Sequence, residues 1–157
     1  MSDELITSDG LNTEDQTTLS ALLSALLPGN EQLGVPPGND AAVFEDIQAT
    51  IRISALEMIS DGLDELRKLA LEQLAREFDS LSNPIRVQLF ELMRSTNGAF
   101  YGTLSSVTVQ CYYRNDQVME SLGMEPRPPY PKGHEVPQGD FNLLDPVRAR
   151  GKIWRDV

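Results

Sequence analysis

Gly98-Ala99-Phe100-Tyr101-Gly102-Thr103-Leu104-Ser105-Ser106-Val107-Thr108-Val109-Gln110-Cys111-Tyr112-Tyr113-Arg114 is the stretch on which the fold class turns. Its second half, residues 107–113, is rich in β-branched and aromatic side chains and has strand propensity. A strand there would have nothing to pair with, and a lone strand is not stable in water. With helical spacing, Phe100, Leu104, Val107 and Cys111 fall on one face. We therefore read a helix, and with it an all-α chain.

Upstream, the pattern is helical throughout. Asn83-Pro84 places a cap and a first-turn proline where helices prefer them, and Val87, Leu89, Phe90, Leu92 and Met93 supply the apolar positions that follow. The clearest helix comes before it. Leu56, Ile59, Leu63, Leu66, Ala70 and Leu74 step by three and four, with Glu65, Arg67, Lys68, Glu72 and Arg76 on the outside. Gly62 and the short run favour packing in a bundle over a coiled coil. Asn39 or Asp40 caps an earlier helix with Phe44, Ile47 and Ile51 on its buried stripe. The first helix starts at Thr13, where Thr13-x-x-Gln16 fits a capping box, and it puts Leu19, Leu22, Leu23 and Leu26 on one face. Pro28-Gly29 stops it, and a proline- and glycine-rich loop follows.

Downstream, Asp116 is placed to cap a short helix through Leu122, closed by Gly123. The composition then changes. Six of the ten prolines fall between Pro126 and Pro146, which argues against both a helix and a central strand. Yet Met124, Tyr130, Val136, Phe141, Leu143, Leu144, Val147, Ile153 and Trp154 are spread along it, unlike a low-complexity linker. Burying so few apolar side chains cannot offset the entropy of ordering the segment alone. The expectation is a small bundle of about five helices followed by an extended proline-rich C-terminal strap that needs a surface to lie on. In residue numbers, this gives a flexible lead at 1–12, a helical domain at 13–123 and an arm at 124–157.

The chain has 157 residues and a net charge of −11, unevenly spread. Residues 1–125 carry 20 acidic and 7 basic side chains, net −13, whereas residues 126–157 carry 4 and 6, net +2. An acidic body lacks the basic footprint that nucleic acid needs. The one cysteine, Cys111, excludes an internal disulfide and any multi-cysteine metal site. The acidic start, Met1-Ser2-Asp3-Glu4-Leu5, does not read as a signal peptide, and the most apolar run, residues 19–27, is too short to span a bilayer. The expectation is a cytoplasmic chain with no membrane span.

Catalytic machinery is hard to find. The one histidine, His134, sits in a proline- and glycine-rich loop, no serine or cysteine lies in a nucleophile motif, and no loop has a phosphate-binding pattern. We expect no catalytic residue, cofactor site or metal site in this chain.

The order of features does resemble one family. A first helix ends in Leu27-Pro28, a glycine- and proline-rich loop and long helices follow, then Phe90-Glu91-Leu92 and the Phe100-Tyr101 helix. After these come Tyr112-Tyr113-Arg114-Asn115-Asp116, Gly123 and Pro129-Tyr130-Pro131-Lys132-Gly133. Across residues 14–134 this resembles the gluconate 2-dehydrogenase subunit 3 family, the small non-flavin subunits that accompany glucose–methanol–choline type flavoprotein dehydrogenases. The resemblance implies a non-catalytic subunit that stabilises or helps assemble a large partner, with FAD and the alcohol or sugar oxidation belonging to that partner. Where family members have a tyrosine-glycine-glycine-asparagine stretch after the aromatic pair, this chain has Gln117-Val118-Met119-Glu120, so no role of that stretch transfers. Family members often carry an export signal, and this chain shows none.

Tyrosine, tryptophan and arginine supply large rigid area or forked hydrogen bonding at interface centres. The expected partner interface is therefore Tyr112, Tyr113, Arg114, Arg127, Pro129, Tyr130, His134, Phe141, Arg148, Arg150 and Trp154. Two other readings remain open: a self-contained helical adaptor for an unrelated protein, and a small enzyme using His134 with acidic residues.

Overall fold

The structure, a computed structural model, describes residues 10–128, 130–133 and 136–151. Its helix starts are set by short polar side chains, which accept hydrogen bonds from backbone N–H groups that the first turn leaves unpaired. Asn12 caps α1 (Thr13–Leu26), accepting from Asp15 N at 2.8 Å. Asp40 caps α2 (Ala41–Ser54) through Ala42 N at 3.0 Å. Asn97 caps α5 (Gly98–Arg114) through Phe100 N at 3.1 Å, and Asn115 caps α6 (Asp116–Ser121) through Val118 N at 3.2 Å. Of the longer helices, α3 (Leu56–Leu74), directly after Ala55, and α4 (Asn83–Thr96), which carries Pro84 in its first turn, start without a side-chain cap.

Three caps sit one residue earlier than the sequence suggested. Asn12 displaces Thr13 because its amide works twice, accepting from Asp15 N and donating to the Asp15 carboxylate at 3.0 Å. Gln16, the expected box partner, instead donates to the Leu11 carbonyl at 2.7 Å. Ser82 occupies the cap position of α4, and Asn83 accepts from Arg86 at 3.0 Å. Asn115 takes the place expected for Asp116.

The decisive stretch is helical. Phe100, Leu104, Val107 and Cys111 are all buried on one face of α5, and no strand occurs among the described residues. The class is all-α, as the period indicated. Five longer helices make the bundle, α5 packing on α2, α3 and α4, and α1 on α3 and α4. Two short helices, α6 and α7 (Asp145–Ala149), bring the described total to seven. The core stripes shift slightly from expectation. Val43 is buried beside Ile47 and Ile51 while Phe44 is only half-buried, and Leu74 and Leu92 face outward.

Two close approaches hold the bundle together. Gly62 of α3 lies against the Phe100 ring of α5, so near that a Cβ there would overlap it, and Phe100 meets Phe90 edge to face at 5.9 Å. The loop after α1 folds back on the helix end. Gly38 N donates to the Leu27 carbonyl at 2.7 Å, and a Cβ on Gly38 would come within 2.8 Å of the Leu23 carbonyl.

The chain divides into two units, residues 1–126 and residues 127–157. In the second, Arg127 donates to the Gly133 carbonyl at 2.8 Å and so closes a loop. Residues Phe141–Leu144 form a 3₁₀ turn that runs into α7. A helix in this proline-rich segment runs against the sequence expectation. Pro146 lies in the first turn of α7, where its missing N–H is no loss, so prolines exclude a helix interior but not a helix start.

Candidate functional site

The surface that stands out in the bundle is built by α5. Steps of four place Tyr101, Ser105, Val109 and Tyr113 on one strip of this helix, with Thr108 and Tyr112 beside them. Leu26 and Leu27 from the end of α1, and Phe90 and Glu91 from α4, form the facing wall of a groove of about 170 Å³. Its aromatic lining is ordered. Phe90 and Tyr101 have ring centroids 4.8 Å apart, the Tyr101 hydroxyl donates to Glu91 at 2.9 Å, and the Arg94 guanidinium lies 5.7 Å from the Tyr101 ring. The bond to Glu91 holds the Tyr101 hydroxyl above the usual tyrosine range. Tyr101, Val109, Leu26 and Leu27 were not among the expected interface residues. The four-residue steps from Tyr101 to Tyr113 could have found the strip, but it is masked by the core-facing stripe of the same helix.

The aromatic pair at the end of α5 splits in two. Tyr112 is 4 % exposed, and its hydroxyl donates to the Pro36 carbonyl at 2.7 Å, tying the proline loop to α5. Burial first, and then the neighbouring Tyr113, raise its proton affinity. Tyr113 is 54 % exposed, its ring edge-on to Tyr112 at 5.4 Å. Arg114 is also exposed and lies 3.4 Å from the Asp46 carboxylate. Cys111 is buried, its thiol 3.4 Å from the Thr50 hydroxyl. Tyr113 and Arg114 are thus presented outward, whereas Tyr112 anchors the loop.

In the second unit, Arg127 is half-buried in the loop that it closes, and Tyr130 within that loop is 86 % exposed. Phe141 is exposed in the 3₁₀ turn, and Arg148 and Arg150 are exposed at and after α7, with Arg148 3.0 Å from Asp145. Pro129, His134 and Trp154 lie outside the described residues. Each unit therefore presents part of the expected interface set.

The main polar cluster is one that the sequence did not announce. Asp15 of α1 is buried, and its carboxylate accepts from Ser60 at 2.6 Å and from Arg67 at 2.8 Å, both on α3. Arg67 also reaches Thr18 at 3.1 Å, Asp64, and Glu14 at 3.4 Å. Burial weakens the charge of Arg67, but the bonds to Asp15 and Asp64 outweigh it and hold the guanidinium above its ordinary pKa. Every hydrogen-bonding partner in this cluster is internal, which suits a structural clamp. Among the described residues no group of three or more His, Cys, Asp or Glu side chains is placed to hold a metal ion, and no helix is long and apolar enough to cross a membrane.

No protein-family model, curated protein or solved structure matches the chain.

Proposed function

We propose that this chain is a non-catalytic helical subunit that stabilises, or helps assemble, an FAD-dependent alcohol or sugar oxidoreductase of the glucose–methanol–choline type. In this reading it acts in the cytoplasm, and FAD and the chemistry reside in the larger partner. The observation that carries the reading is the set of large apolar side chains left more than half exposed among the described residues of the second unit. Tyr130, Val136, Phe141, Leu143 and Val147 are all of this kind. Large apolar side chains exposed at this density along one segment favour an interaction site over singly scattered surface hydrophobes. The aromatic strip of α5, ending in exposed Tyr113 and Arg114, offers a second such surface on the bundle. The resemblance of residues 14–134 to the small-subunit family supplies the identity of the partner.

Purification of the tagged chain from its native host tests this. A larger companion with a flavin absorbance spectrum is expected. A colourless companion would favour the adaptor reading instead, and a lone chain that turns over substrate would overturn the non-catalytic assignment.

A further inference from the structure

The groove between the end of α1 and the outer strip of α5 has features that a subunit role leaves unused. Its walls are aliphatic and aromatic, from Leu26, Leu27, Phe90 and Tyr101. The tyrosine hydroxyls nearby are already committed, Tyr101 to Glu91 at 2.9 Å and Tyr112 to Pro36 at 2.7 Å. Thr108 is different. It lines the groove, is 4 % exposed, and its hydroxyl is shielded from water with no hydrogen-bond partner. Leaving such a group unpaired carries its desolvation cost uncompensated, so hydrogen-bonding capacity is stored here unspent. Threonine in a helix divides between two side-chain rotamers because its hydroxyl can bond a carbonyl of its own helix, so a guest's hydroxyl has to compete with that internal bond.

Size narrows the guest. Drug-sized ligands and cofactors occupy roughly 300–1,000 Å³. A groove of about 170 Å³ is too small for them. A cavity of about 150 Å³ is known to hold one benzene ring. Aromatic and aliphatic walls suit such a ring, and one uncommitted hydroxyl suits a single polar substituent on it. We propose that this groove binds a small single-ring phenol, its ring between the α1 leucines and Tyr101 and its hydroxyl paired with that of Thr108. The binding is a property of the chain on its own and is tested there, without a partner on the α5 strip.

The test is a titration of the full-length chain, followed by ¹H–¹⁵N correlation spectra, with phenol and with toluene, which has a similar shape but no hydroxyl. Both are repeated on Thr108→Val, which keeps the shape and removes the hydroxyl. Saturable shifts along residues 101–113 are expected, with phenol binding about tenfold tighter than toluene to the wild type, the worth of one hydrogen bond. That preference disappears in T108V, which also melts no lower than wild type because it removes an unpaired group. Val109→Trp, which fills the groove from an exposed position, abolishes the shifts. An absence of saturable shifts in wild type, or a phenol preference that survives in T108V, overturns the proposal.

Discussion

At the scale of single residues, the bundle depends on the Asp15–Arg67 pair. Asp15 has 1 % and Arg67 11 % of the side chain exposed, so water cannot replace either partner. Arg67→Ala should destabilise the chain by about 3–5 kcal/mol, because it leaves a buried carboxylate without its counter-charge. Urea unfolding measures this, and a double cycle with Asp15→Asn should recover part of the loss. Tyr112→Phe should cost about 1–2 kcal/mol by leaving the Pro36 carbonyl unpaired. The same residue sets an alkaline limit. Burial holds the native Tyr112 hydroxyl above the ordinary tyrosine range, so above about pH 10 the unfolded chain releases a proton that the native chain keeps. Its contribution is therefore complete below that pH and is lost as pH rises beyond it. Y112F should lose less stability than wild type between pH 10 and the onset of alkaline unfolding. Neither residue is legible in the sequence. Asp15 sits among polar neighbours like any solvated acid, and what buries it arrives on α3, with Ser60 and Arg67 45 and 52 positions away. Tyr112 reads as half of an exposed pair for the same reason, since the loop that covers it lies 76 positions upstream.

At the scale of elements, periodicity carries well and boundaries slip. The face of α5 follows from Phe100, Leu104, Val107 and Cys111 alone, since four apolar positions at helical spacing outweigh the β-branched character of Val107-Thr108-Val109. The cap positions of α1, α4 and α6 fall one residue earlier than the sequence pattern indicates; at α1 and α6 two adjacent polar residues compete and only geometry decides which side chain turns back onto the helix, whereas at α4 neither does. The arm contains a helix start despite its prolines, a matter of position within the turn. Gly62 shows where propensity and packing conflict. Gly→Ala in an exposed helix gains about 1 kcal/mol. Here the added methyl group falls on the Phe100 ring, and overpacking of this kind costs about 1–3 kcal/mol. Gly62→Ala should therefore lower the melting temperature, and Phe100→Leu in the same chain should restore part of it. A G62A chain as stable as wild type would mean that α3 and α5 pack differently.

At the scale of the whole molecule, the two-part character of the chain is visible in its composition alone. An acidic, helical first part gives way at about residue 126 to a proline-rich, slightly basic segment. What composition does not convey is which of the interface candidates are presented. Tyr113, Tyr130 and Phe141 are exposed while Tyr112 is not, and the burial of Tyr112 comes from contacts between distant parts of the bundle. Among the described residues the whole buried core lies within residues 1–126, so removal of residues 127–157 should leave the helical circular dichroism of the bundle intact while removing the run of exposed apolar side chains. The most direct measurement is the flavin absorbance that co-elutes with the tagged chain from its native host, full-length beside residues 1–126. The full-length chain is predicted to elute with a larger flavin-bearing subunit, and the shortened chain to elute folded and colourless. A full-length chain that elutes without flavin, or a shortened chain that retains the yellow partner undiminished, would contradict the account.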